Sequence, residues 1–243
     1  MTVVRRRAVR ALLVAVTLTI SACGAPARAP VPAPPPSSPG PLRVMTLGDS
    51  ITFGGSATDH QGYRTPLGAR LARAGVTVQW SNRGVNAATT GQLIESVDGW
   101  LAADRPDVVL LAVGTNDNAH PADIPGTAHR FGVLLDHILG SSPQVQVVMA
   151  RIALSRRLFH AERERYINSQ IPSVVAARAA RVTLADFTPV PTTPAYSGDG
   201  IHPNDAGYAL MAYQWYLALV PVLHLPRPTD DPWAGVPRLE PAG

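Results

Sequence analysis

The stretch Arg43-Val-Met-Thr-Leu-Gly-Asp-Ser-Ile-Thr-Phe-Gly54 decides how the rest of the chain is interpreted. It begins with a short apolar run, Val44 to Leu47, of the kind that suits a buried strand. Gly48 permits a tight turn, so Ser50 would be displayed at the carboxyl end of that strand, where open α/β sheets bind ligands. Taken alone, however, Asp49 and Ser50 are better explained as the cap of the next helix.

Beyond this loop the chain alternates between strand-like and helix-like segments, and we find no internal repeat and no second domain. Strands that alternate with helices predict an α/β fold in which helices cover both faces of a parallel sheet. The further predicted strands are 76–80, 108–113, 145–150 and 182–187, and the predicted helices lie around 63–74, 93–101, 128–138, 160–180 and 209–220.

Four loops that follow predicted strands carry residue types suited to acyl transfer: Ser50, Gly84, Asn116, Asp199 and His202. The fold would gather them at one edge of the sheet. A serine hydroxyl needs a base such as histidine, and the histidine needs a carboxylate to fix its tautomer. The oxyanion that forms on attack needs fixed donors, which the amides of Ser50 and Gly84 and the side chain of Asn116 would supply.

These residues resemble the four sequence blocks of the SGNH hydrolases, also called GDSL esterases, over about residues 43–219. The resemblance implies a flavodoxin-like three-layer sandwich with five parallel strands, and hydrolysis through an acyl-enzyme without metal or cofactor. It implies Ser50 as nucleophile, His202 as base and Asp199 as its partner, with Ser50, Gly84 and Asn116 forming the oxyanion hole. The family often has a second glycine where this chain has Ala87, which puts the local loop shape in question.

Within that family, residues 47–54, 62–64 and 199–204 resemble the carbohydrate esterase branch, which includes acetylxylan esterases. We therefore expect a serine esterase for small acyl groups, with O-acetyl groups on carbohydrates as candidates. Its partner would be a small-molecule or glycan ester, and we expect a monomer. Two alternatives stay open: a lysophospholipase or thioesterase of the same family, and a glycan-binding surface lipoprotein without catalysis.

The amino-terminal residues indicate export. Arginines between Arg5 and Arg10 precede an apolar run, 11–22, that is too short to span a bilayer as a helix and suits a signal peptide. Ile20-Ser21-Ala22-Cys23 resembles the lipobox of bacterial lipoproteins, so we predict a signal peptide at 1–22 and lipidation of Cys23. The protein would then face outward on a membrane through this anchor. An unmodified cysteine, ordinary cleavage near Ala27 with secretion, and twin-arginine export are the alternatives.

Composition sets the remaining boundaries and excludes one class of partner. A Pro-rich linker covers 23–41, the hydrolase domain 42–225 and a Pro-rich tail 226–243. All 21 basic residues are arginine, and without the four in the signal peptide 17 arginines balance 17 acidic residues, so no basic patch favours nucleic acid. No metal site is predicted, because the helix residues His129 and His137 lack a matching carboxylate cluster.

Several polar residues near these loops are given structural roles. Asp117 is expected to hold its loop by hydrogen bonding to backbone. Asn118 and His120 are expected to lie in a solvated loop, with a place in the lining of the cleft as the alternative. Arg151 should form a surface ion pair. The charged run 162–165 is predicted to form a solvated helix face.

Overall fold

The computed structural model describes residues 40–119 and 121–236, which form a parallel sheet with helices on both sides. The strands are β1 (Leu42–Gly48), β2 (Val78–Gly84), β3 (Val108–Ala112), β4 (Gln146–Arg151) and β5 (Val182–Asp186). The α-helices are α1 (Ser50–Phe53), α2 (Arg64–Arg73), α3 (Thr90–Asp104), α4 (Thr127–Ser141), α5 (Leu158–Ala176) and α6 (Asp205–Leu223), and a 3-10 helix covers Pro121–Gly126.

The strand order is β2-β1-β3-β4-β5, and every pairing is parallel. This confirms the predicted α/β fold with its five-stranded parallel sheet. The order reverses between β1 and β3, so the loops after these two strands diverge and leave a crevice at their carboxyl ends. Ser50 follows β1 and Asn116 follows β3, which places both at this crevice.

Two apolar clusters hold the layers together, one on each face of the sheet. On one face α6 places Trp215, which is fully buried, against Tyr63 and Phe187 at ring-centroid distances of 5.7 and 4.9 Å. On the other face α3, α4 and α5 bury residues such as Phe131 and Ile167. Helix α6 is long and apolar enough to cross a bilayer, but half of its apolar window is buried within the protein, as expected of a core helix.

The prediction for β2 was wrong at its carboxyl end. The sequence pattern breaks at Asn82-Arg83-Gly84, yet the strand continues to Gly84, which pairs with Gly48 of β1. Since β2 is the edge strand and its side chains are half exposed, backbone hydrogen bonds to β1 hold it regardless of the side-chain pattern. The one-turn helix α1 and the 3-10 helix were not predicted either.

Candidate active site

The nucleophile candidate sits on a turn that only a glycine permits. A Cβ on Gly48 would lie 2.0 Å from the carbonyl oxygen of Ala112, so β1 passes β3 too closely for any side chain. Asp49 then caps α1 by accepting a hydrogen bond from the Ile51 amide at 3.0 Å. Ser50 is the first residue of α1 and is half-buried. Asp49 thus fills the capping role considered for it, and Ser50 is presented at the strand end.

Ser50, His202 and Asp199 form a continuous hydrogen-bonded chain. The Ser50 Oγ lies 2.8 Å from Nε2 of His202, and the opposite ring nitrogen, Nδ1, lies 2.6 Å from Oδ2 of Asp199. Because an ionised carboxylate can only accept, Nδ1 donates to it, and Nε2 is left to accept from the serine hydroxyl. The amides of Ile201 and His202 both donate to the other carboxylate oxygen at 2.8 Å, which fixes its orientation.

The carboxylate of Asp199 stays ionised over the range in which enzymes work. Partial burial raises its pKa, but hydrogen bonds from the ring and amide of His202 and from the amide of Ile201 outweigh that effect. The pKa of Asp199 therefore lies well below its usual value. A fixed negative charge beside Nδ1 is what an imidazole needs when it takes up a proton at Nε2.

Two of the three candidate oxyanion donors already have hydrogen-bond partners. The amide of Gly84 donates to Oδ1 of Asn82 at 2.9 Å, and Nδ2 of Asn116 donates to the carbonyl of Ala88 at 3.0 Å. A primary amide has two hydrogens, so Asn116 keeps one for a ligand, whereas Gly84 has a single N–H. An oxyanion would have to share that hydrogen with Asn82 or displace it, which the sequence did not indicate.

Two side chains whose role was not predicted from the sequence, Arg64 and Tyr208, hydrogen-bond to carbonyl groups in and after helix α1. The buried guanidinium of Arg64 donates to the carbonyls of Thr52, Phe53 and His60. Burial lowers the pKa of Arg64, which nevertheless remains a cation. The Tyr208 hydroxyl lies within 3.0 Å of two further carbonyls in this segment. These contacts satisfy carbonyl groups that a one-turn helix leaves open. The signal in the sequence was an arginine placed next to an apolar helix face.

The loop after β3 is tied to helix α3. Asp117 accepts hydrogen bonds from the amide and hydroxyl of Thr90 at 2.9 and 3.0 Å, and it pairs with Arg130 at 3.2 Å. The predicted hydrogen bond between Asp117 and backbone is present, but the donor is the Thr90 amide at the start of α3 and not a neighbouring amide of the loop. His120 lies outside the described residues. The ion pair expected for Arg151 is present, with Asp186 at 3.2 Å.

A buried carboxyl links the loops that follow β3 and β4. Glu164 of α5 is fully buried and accepts hydrogen bonds from Asn118 Nδ2 at 3.3 Å and from the Ser155 amide at 2.6 Å. Asn118 is itself buried, so the prediction of a solvated loop at Asn118 was wrong, and the prediction of a solvated face at 162–165 was wrong for Glu164. The charged run 162–165 has a buried side and an exposed side, although all four of its residues are charged. Glu164 is buried under the loops, whereas Glu162 and Arg165 are exposed.

Size alone does not identify the site. Two larger grooves, of about 810 and 780 Å³, lie around Arg43 and Asp107 at the amino ends of the strands, whereas Ser50 lies at the carboxyl ends. A smaller pocket, of about 240 Å³, opens beside Asn116. The hydrogen-bonded chain of side chains, and not the volume of a cavity, therefore marks the candidate active site.

The sequence matches a known hydrolase family and is similar to a known esterase. Residues 46–210 match the sequence profile described as the GDSL-like Lipase/Acylhydrolase family. The chain is 26% identical over 223 residues to a multidomain esterase of Ruminococcus flavefaciens, which covers 74% of this chain and only 28% of that protein.

Solved structures share the fold. A family 3 carbohydrate esterase of Clostridium thermocellum superimposes with a TM-score of 0.69 at 24% identity, covering 76% of this chain and 98% of the other. A lipase/acylhydrolase from Enterococcus faecalis superimposes with a TM-score of 0.64 at 19% identity, covering 78% of this chain and all of the other.

Proposed function

The chain belongs to the GDSL-like lipase/acylhydrolase family, and we propose that it cleaves carboxylic esters of small acyl groups with Ser50 as the nucleophile. The observation that supports this assignment is the unbroken hydrogen-bonded chain from Ser50 through His202 to Asp199, at 2.8 and 2.6 Å. The tautomer that Asp199 imposes leaves Nε2 ready to take a proton from the serine hydroxyl.

Each step of the reaction has a group in place. As the Ser50 Oγ attacks the acyl carbon, its proton passes to Nε2 of His202, and the carbonyl oxygen becomes an oxyanion. We assign the stabilisation of that charge to the Ser50 amide and the second N–H of Asn116, with the Gly84 amide joining them when its hydrogen leaves Asn82. His202 then returns the proton to the leaving alcohol. Water attacks the acyl-enzyme by the same route and regenerates Ser50.

The substrates we propose are O-acetyl groups on carbohydrates. The support is the likeness to proteins named as carbohydrate esterases, together with the resemblance of residues 47–54 and 199–204 to that branch. A lysophospholipase or thioesterase is the second candidate. It is favoured by Leu158 and Phe159, which are 81% and 79% exposed close to the loop that holds His202. A glycan-binding protein without catalysis would have no need of an aligned Ser50, His202 and Asp199.

Replacing the nucleophile tests the proposal directly. We expect Ser50→Ala to lower kcat/KM for p-nitrophenyl acetate by about a thousandfold or more, since one member of the acid–base chain is lost while binding remains. The matched control is Ser169→Ala, at an exposed position on α5, which should retain wild-type turnover. Thermal unfolding of both variants would verify the fold. Turnover by Ser50→Ala within tenfold of the wild type would contradict the assignment.

A further inference from the structure

A small polar pocket adjoins the candidate oxyanion hole and has no part in the chemistry described above. It has a volume of about 240 Å³. Asn116, which is a candidate oxyanion donor, lines it. The other lining residues come from the loop after β3, the start of α3, the 3-10 helix and α4, and they are Asp117, Thr89, Gly91, Asp123 and Arg130.

The charges around this pocket restrict what it can hold. Arg130 contributes one positive charge, which Asp117 offsets at 3.2 Å, and the exposed carboxylate of Asp123 adds a second negative charge. The formal balance is therefore one negative charge. A phosphate or carboxylate group would be repelled, and an alkyl chain would meet charged and hydroxyl groups without gaining apolar contact. A neutral molecule with several hydroxyl groups satisfies both conditions.

Two of the polar groups that line the pocket, Arg130 and Thr89, are held in place before any ligand arrives. Nη2 of Arg130 donates to Asp117, to the carbonyl of Asp123 and to the hydroxyl of Thr127, at 3.2, 2.9 and 2.9 Å. Thr89 is held as the cap of α3 by a reciprocal pair of hydrogen bonds with Gln92. A ligand would therefore meet prepositioned polar groups and would not have to order them.

We propose that this pocket binds a single neutral sugar ring of the alcohol that is released from the ester. The inference rests on the proposed esterase function and adds where the alcohol part lies and what its chemistry is. A volume of 240 Å³ is below the roughly 300–1,000 Å³ of pockets that bind drug-sized ligands, which suits one ring and not a long chain. The carboxylate of Asp123 accepts hydrogen bonds from sugar hydroxyls, and the acyl group lies on the Ser50 side of Asn116.

Gly91 provides a way to fill the pocket without disturbing the catalytic residues. A Cβ at this position would meet Arg130 Cδ and Thr89 Oγ1 at 3.9 Å each, which are ordinary contacts, so a side chain fits and extends between these residues into the pocket. Gly91→Leu should therefore block the ring, whereas Gly91→Ala adds only one methyl group. Asp123→Ala removes the exposed acceptor. The control is Asp98→Ala, which removes an exposed carboxylate that lines the groove of about 810 Å³ at the amino ends of the strands. It should leave all activities unchanged.

The experiment compares an acetylated methyl xyloside, p-nitrophenyl acetate and lysophosphatidylcholine as substrates for the full chain. We expect Gly91→Leu and Asp123→Ala to lower the ratio of kcat/KM for the sugar ester to that for the nitrophenyl ester at least tenfold, mainly through KM. Gly91→Ala should change it less than threefold. A ratio that stays within twofold of the wild type in both variants, or a selective loss on the lysolipid, would overturn the proposal.

Binding of the free methyl xyloside, followed by calorimetry or ligand-observed NMR, separates this inference from the esterase proposal. If the wild type cleaves none of the three esters, the esterase proposal fails, and the pocket is still decided by xyloside binding. Weaker binding by Gly91→Leu than by the wild type would support the pocket. Equal binding by the two proteins, or no binding by the wild type, would overturn it. If the wild type cleaves only the nitrophenyl ester, the sugar pocket is likewise wrong.

Discussion

Among the individual residues, Asp49 combines burial and charge in an unusual way. It lies next to Ser50, is fully buried, and caps α1 through the Ile51 amide. Burial raises the pKa of Asp49 to about 6, because the charged form loses its hydration, while the hydrogen bond from Ile51 opposes the shift. The carboxyl beside the nucleophile therefore titrates far above the ordinary range of aspartate, whereas Asp199 titrates below it.

This pKa predicts a dependence of stability on pH. Between about pH 4 and 6 the folded protein holds a proton on Asp49 that the unfolded chain releases, so the contribution of Asp49 to stability falls as pH rises through 6. From pH 4.5 to 7.5 the free energy of unfolding should fall by about 2 kcal/mol more in the wild type than in Asp49→Asn, which keeps the capping oxygen. Urea unfolding at the two pH values measures this difference.

The control for Asp49 is Glu162→Gln, which neutralises an exposed carboxylate on α5. It should show the same pH dependence as the wild type, because it leaves the carboxyl of Asp49 in place and changes only the surface. Equal slopes for the wild type and Asp49→Asn would mean that the carboxyl of Asp49 titrates alike in the folded and unfolded chains.

At the scale of elements, α1 and the end of β2 are in direct backbone contact at Gly84. A Cβ on Gly84 would lie 2.1 Å from the amide nitrogen of Phe53 and 2.6 Å from its Cα. The glycine is therefore required by this close approach, whatever its amide does in catalysis. Since α1 begins at Ser50, any displacement at Gly84 is passed to the nucleophile.

We predict that Gly84→Ala lowers the free energy of unfolding by about 3 kcal/mol or more and reduces esterase turnover, because backbone atoms must move apart. Gly99→Ala, in the middle of α3 with nothing within 4 Å of the new Cβ, is the matched control and should stabilise by up to about 1 kcal/mol. Chemical denaturation of both variants tests the contrast. A Gly84→Ala protein as stable as the wild type would refute the close contact.

Helix α5 joins two of the site loops through a single side chain. Glu164→Ala leaves the Ser155 amide and the Asn118 side chain without their buried acceptor. We expect a loss of about 1–3 kcal/mol in stability, as for other buried polar groups that lose a partner. Glu162→Ala, two residues away and exposed, should stay within about 0.5 kcal/mol of the wild type. Equal stabilities for these two variants would argue against the buried link.

For the whole molecule, the parallel sheet explains why distant residues meet. All five strands run in the same direction, so the loops that follow them emerge together at the carboxyl ends of the strands. The reversal of strand order between β1 and β3 opens the crevice at these ends. Leu42 begins β1 at the opposite end of the strands, where it lines the groove of about 780 Å³. The catalytic groups and the first residue of β1 thus lie at opposite ends of the sheet.

The location of the protein in the cell stays a proposal: export, followed by attachment to a membrane through a lipidated Cys23, which lies outside the described residues. We predict that Cys23→Ser moves the protein from the membrane fraction to the soluble fraction, since lipoprotein processing would supply the several acyl chains that a stable anchor needs. Fractionation with immunoblotting measures this, and Ser21→Ala serves as the control. An unchanged membrane fraction for Cys23→Ser would point to another mode of attachment.

Much of the fold could be predicted from the sequence because the patterns that specify its strands and helices are local. The buried strand from Val108 to Ala112 is continuously apolar, and Gly75, with a left-handed φ of 81°, directly follows the C-cap of α2. Where the signals were weak, the prediction failed. The edge strand β2 is specified by backbone pairing with β1. Glu164 is buried in part by the loop of Asn118, which lies 46 residues away, so neither feature could be predicted from a local pattern.

The sequence by itself determined the order of strands and helices and the identity of the polar residues that follow each strand, because apolar periodicity and turn residues act over short distances. Only the tertiary structure decided which hydrogens are already engaged, as the Gly84 amide is by Asn82, and that Asp117 holds α3. It also decided that Asp49 and Glu164 are sealed from water. These features depend on atoms brought together across the chain, and burial and hydrogen bonding act through distances in space.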